Sequence, residues 1–151
     1  MKRLTLLSTS ALLILTAPLA SAQNLAARRE MEKANKETIP QAVKQIEAKS
    51  GAKVTLELDP VSFAEADADT WSGLNYACER ITAALAAVAK DQLGKDALAK
   101  GVKKIVLVRA SKEAKNKVAI KEGTLTVKTN FTGPELAPLQ GAIQKELEKA
   151  L

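Results

Sequence analysis

Histidine is absent from this 151-residue chain, cysteine occurs once, and aromatic side chains make up 3% of it. Each shortage removes a class of chemistry. Without histidine the chain lacks the side chain that most often serves as general base, nucleophile activator and metal ligand. No metal site and no cofactor is predicted. The single cysteine, Cys78, closes no internal disulfide, so the fold is held by its core. A chain of one domain's length buries enough apolar surface for that. With so few aromatics there is little to stack on bases or sugar rings, and nucleic acid is not an expected partner. The glycines stand singly, so no Gly-rich phosphate loop is present.

Long apolar runs are also missing, with one exception at the start. Lys2 and Arg3 precede an apolar stretch from Leu4 to Thr16, and Ala20-Ser21-Ala22 follows. Residues 1–22 therefore read as a cleaved secretory signal peptide of bacterial type. The run is shorter than the roughly 20 residues that span a bilayer, Pro18 interrupts its end, and no cysteine follows to carry a lipid. The expected location is periplasmic or secreted, with no transmembrane segment after cleavage.

Charge is unevenly spread. The chain carries a formal +6, which falls to +4 without Lys2 and Arg3. Between Lys95 and Lys128 stand ten Lys or Arg against three acids, a local +7, and the remainder of the exported chain sums to −3.

Residues 23–37 are charged with few apolar anchors and read as an N-terminal arm, a frayed helix or a mobile segment, with Glu32 and Lys36 at helix-pair spacing. Residues 38–151 read as a single α+β domain. Thr38, Pro40 and Gln41 fit a capping box opening a helix, and Ser50-Gly51 stops it. Val54, Leu56 and Leu58 alternate with polar residues as a strand. Ser62 to Glu65 has capping-box spacing again. The longest helix is expected to begin near Thr70 or Ser72 and to end at Gly94. Its stripe is Leu74, Cys78, Ile81, Leu85 and Val88. A further turn is expected over residues 96–100. Cys78 on that stripe reads as a buried core thiol.

Residues 102–131 hold the densest strand patterning. The run 104–110 is apolar on both alternations, as in a central strand. Val118 and Ile120 alternate with Lys117 and Lys121, and Leu125 and Val127 alternate with Thr124, Thr126 and Lys128. Glu122-Gly123 between them is a hairpin turn. A final helix follows Gly133-Pro134 along Leu136, Leu139, Ile143, Leu147 and Leu151. The predicted fold is a four-stranded mixed sheet with helices packed on one face. It is built from one strand, a long crossover helix and a three-stranded antiparallel meander.

The acidic piece Glu65, Asp67 and Asp69 does not match an EF-hand. Counting from Asp67, positions 5, 6 and 12 are Trp71, Ser72 and Cys78. Acids complementing a helix dipole explain it better. A carboxylate-based hydrolase drawing on Glu57 with Glu65, Asp67 or Asp69 is an alternative reading. The leading candidate is the open face of the basic sheet. There Lys117, Lys121, Thr124, Thr126 and Lys128 are expected to lie together and attract an anionic partner of the envelope, a protein among the candidates. Two other roles compete: lysines that only keep strand edges from aggregating, and a structural protein that self-associates through its edge. Phe63 and Trp71 are expected to cap the sheet end, with Tyr76 partly exposed. The expected function is therefore that of a small non-enzymatic module that binds an envelope or extracellular partner through its basic sheet face or its edge strand.

Overall fold

The computed structural model describes residues 17–151, with side chains from Leu25 onward, so residues 1–16 of the predicted signal peptide lie outside the described residues. Helix α1 (Ala17–Lys36) includes the segment read as an arm. Its Ala27 and Ala34 are buried and Met31 packs against the core. Glu32 and Lys36 form the ion pair that their spacing predicts, at 2.6 Å.

Helix α2 (Thr38–Ser50) follows after Glu37, and Thr38 lies inside it rather than capping it. The reason is the preceding helix. Glu37 N–H donates to the Lys33 carbonyl at 2.9 Å and Gln41 N–H to that of Glu37 at 3.3 Å. The ladder passes almost unbroken from α1 to α2, so the donors a cap would serve already have acceptors. Gly51, at φ 73°, stops α2 in the left-handed conformation.

Strand β1 is Thr55–Leu58. Ser62 does not cap a helix. Its N–H donates to the Asp59 carboxylate at 2.9 Å, which closes a turn. Helix α3 (Ala68–Val88) starts earlier than predicted because Asp67 caps it, accepting from Thr70 N–H at 3.0 Å. It also ends earlier. Gly94 lies in the first turn of a separate helix α4 (Gln92–Gly101), which Asp91 caps through Gly94 N–H at 2.7 Å. A Cβ at position 94 would overlap the Val88 carbonyl, so the glycine lets α4 fold back on the end of α3.

The remaining elements are β2 (Lys104–Arg109), β3 (Lys117–Lys121), β4 (Thr124–Thr129), a single 3-10 turn at Gly133–Leu136, and α5 (Leu139–Ala150). The four strands form one mixed sheet, and the fold is α+β as expected. The antiparallel meander is not what forms. The strand order is β1-β2-β4-β3, with β2 parallel to both β1 and β4, and only β3 antiparallel to its neighbour β4.

Composition explains the order. β2, apolar on both alternations, takes the position with two neighbours. β3 carries lysine at both ends and suits an edge. The link 110–116 takes the chain out to that edge, and the Glu122-Gly123 turn returns it as β4 into the gap. Glu122 and Gly123 have φ 50° and 77°, the two positive values that a type I′ hairpin needs.

Helices α2, α3 and α5 form one layer, α2 near β1, α5 near β3 and α3 between them. Beneath it the sheet presents Leu56, Leu58, Ile105, Leu107, Leu125 and Val127, all buried. Leu74, Ile81, Leu85, Leu139 and Ile143 meet them from the helices. Truncating one such leucine costs about 2–5 kcal/mol. With no disulfide among the described residues, this layer holds the domain together.

Candidate functional site

Register decides which side chains share the other face. Thr55, Lys104, Thr124 and Lys121 stand side by side across the four strands. The next row is Glu57, Val106, Thr126 and Ala119, and the third is Val108, Lys128 and Lys117. Burial alternates along the strands, except at the end of β2 where Val108 and Arg109 are both half-buried, and this face is the open one. Lys117, Ala119, Lys121 and Lys128 are exposed, while Thr124, Thr126, Lys104, Val106 and Val108 are half-buried.

The structure thus brings all five predicted residues, Lys117, Lys121, Thr124, Thr126 and Lys128, onto one face. It adds Lys104, which bonds Glu57 on the neighbouring strand at 2.7 Å. Beside these four lysines Val106, Val108 and Ala119 give the face a small apolar floor, with Thr126 between Val106 and Ala119. The facing of Lys117 and Lys128 is informative. They oppose each other directly across β3 and β4, and like charges so placed cost the sheet a few tenths of a kcal/mol or more.

The carboxylates considered for hydrolysis sit on different elements. Glu57 lies on the open face with Lys104. Glu65 and Asp69 are exposed. Asp67 accepts from both the hydroxyl and the N–H of Thr70, at 2.6 and 3.0 Å, and these bonds, with a smaller part from Lys112 at 3.4 Å, hold its carboxyl down at about 2. Among the described residues no three Cys, Asp or Glu side chains gather as metal ligands.

The start of α3 carries a second polar cluster that the sequence reading missed. Arg109 Nε donates to Thr70 Oγ1 at 3.2 Å, and Arg109 N–H donates to Ser62 Oγ at 3.0 Å. These bonds tie the end of β2 to α3 and to the turn after β1. The Asp67-to-Thr70 spacing of an N-cap was the available signal.

Cys78 is buried as expected, 5% exposed, and burial pushes its thiol up to about 12. It borders a polar groove between α2 and α3, about 270 Å³, lined also by Gln41, Gln45, Asn75 and Glu79. Phe63 packs on Trp71 and on Phe131 with centroids 5.5 and 5.1 Å apart. Tyr76 is partly exposed and lies under the Arg80 guanidinium.

No family model matches the chain, and neither a curated protein nor a solved structure does. Among the described residues no helix is long and apolar enough to cross a membrane.

Proposed function

We propose that this chain is a small exported, non-enzymatic module. It docks an anionic partner of the envelope or extracellular space on the open, basic face of its sheet. The observation that carries this reading is the direct opposition of Lys117 and Lys128, with Lys121 four residues along β3, on a face that no layer covers among the described residues. The fold bears a repulsion there that a negatively charged partner relieves. The apolar floor beside the lysines gives that partner surface to bury, and Thr124 and Thr126 give it hydroxyls to bond.

The test is binding to anionic vesicles and to polyglutamate at low and at physiological salt. It compares the chain with its triple variant Lys117→Glu, Lys121→Glu, Lys128→Glu. Binding that weakens steeply with salt and disappears in the variant supports the face. Binding that the variant retains in full excludes it.

A further inference from the structure

Among the described residues β3 is an outer strand of the sheet, and no strand pairs with its outward edge. The two-residue turn fixes which groups point outward. Lys121 and Thr124 close the hairpin as a hydrogen-bonded pair, so Ala119 and Lys117 bond β4 as well. The N–H and C=O of Val118 and Ile120 therefore face away from the sheet. The other side of β4 agrees: the Gly123 and Thr129 carbonyls accept from Lys104 and Ala110 N–H, so its odd-numbered groups serve β2. No loop or helix backbone group among the described residues bonds the outward groups of Val118 and Ile120.

The side chains along this edge divide by face. Val118 and Ile120 point to the helix layer but are only half-buried, whereas Leu125 and Val127 beside them on β4 are fully buried. Helix α5 packs on β3 but covers these two side chains only in part, and leaves apolar surface that one more strand would cover. On the open face the edge shows Lys117 and Lys121, exposed and separated by Ala119.

We infer that β3 receives an extended acidic segment of a protein partner as an additional antiparallel strand. The pattern of that segment is acid, apolar, any residue, apolar, acid. Its apolar side chains fall beside Val118 and Ile120 and complete the core edge. Its acids fall beside Lys121 and Lys117, and its backbone takes the outward groups of Val118 and Ile120. A second copy of the chain fits poorly. Two-fold pairing of β3 about Ala119 sets Lys117 against Lys121 of the other copy at both ends. The inference rests on the reading of the basic face as anion-seeking and narrows it to one edge and one kind of ligand.

The experiment uses the purified chain and a labelled peptide, SEVTIES, followed by fluorescence anisotropy. Antiparallel addition turns the valine and isoleucine amides of the peptide toward β3 and the threonine amide away. N-methylation of the valine is expected to weaken binding about tenfold, the loss of roughly one well-made hydrogen bond. N-methylation of the threonine is expected to leave it unchanged. The double variant Lys117→Glu, Lys121→Glu is expected to lose SEVTIES and to bind SKVTIKS instead. Equal binding of the two methylated peptides, or equal binding of a scrambled peptide of the same composition, overturns strand addition. Salt-sensitive binding of polyglutamate in that case leaves the basic face standing. If polyglutamate also fails to bind, both readings fall.

Discussion

Asp67 shows how one side chain sets an element boundary. It caps α3 through Thr70, and its carboxyl is held at about 2, below the ordinary 3.8. Replacing it, Asp67→Ala, is expected to lower stability by about 1 kcal/mol at neutral pH, as for other lost caps. The pH dependence follows from the direction of the shift. A depressed carboxyl stabilises the folded state above the unfolded value, and that contribution fades as pH falls from near 4 through 2. The Tm difference between parent and Asp67→Ala should therefore be full at pH 6 and small at pH 2. A difference that stays constant to pH 2 would assign the effect to packing instead. Two glycines give an opposed pair. A Cβ at Gly73 would overlap the Phe131 carbonyl oxygen, and Phe131 itself sits at φ 58°, an uncommon value for a bulky residue. Gly73→Ala is expected to destabilise by about 2 kcal/mol or more. At Gly141, inside α5, a Cβ meets nothing within 4 Å. Gly141→Ala is expected to stabilise by about 0.5–1 kcal/mol. Denaturant unfolding of the two variants checks both signs.

At the scale of elements, β3 is the least supported strand, and its amides should say so individually. Lys117, Ala119 and Lys121 bond β4, while Val118 and Ile120 point outward. Hydrogen exchange followed by NMR is expected to alternate along β3, slow at Ala119 and fast at Val118 and Ile120. Uniform protection would mean that the edge is already covered. Elements were legible in the sequence where the signal is local. The period-2 alternation of 117–128 and the Glu122-Gly123 turn identified the hairpin, and with it the face shared by Lys117, Lys121, Thr124, Thr126 and Lys128. The neighbour of β2 was not legible, because β4 and β3 present similar alternations and the choice between them is made by non-local packing. The break between α3 and α4 was hidden by an alanine-rich stretch that is helix-prone throughout. Its cue was Asp91, three residues before Gly94, a cap whose role shows only once the helices fold back on each other. At the α1–α2 junction the error ran the other way. Thr38 has the chemistry of a cap, but the turn before it already satisfies the donors.

At the scale of the whole molecule, the edge lysines bear on how copies of the chain meet. The chain carries about as much net charge as keeps a small domain dispersed, yet its positive charge is concentrated in one stretch, +7 between Lys95 and Lys128. A bare edge strand is a template for a second copy. The sequence of β3 with its lysines made neutral, Lys117→Thr with Lys121→Thr, reads TVAIT, which is β-branched at four of its five positions and uncharged. Two such strands pair about Ala119 with no opposed charges. The double variant is therefore expected to show a concentration-dependent dimer in sedimentation under conditions where the parent is a monomer. Adding Ile120→Pro, which removes an outward N–H without touching the bonds to β4, should return it to monomer. A dimer that survives the proline would place the contact elsewhere on the molecule. A double variant that stays monomeric would show that the lysines are not needed to keep copies apart, and the place of Lys117 opposite Lys128 would then rest on partner binding alone. The two roles are separable in one further respect. Guarding the edge needs positive charge only at β3, whereas Lys104 and Lys128 stand on interior strands. Their charge serves no edge, so a loss of anion binding in Lys128→Glu alone, with the monomer intact, separates docking from protection.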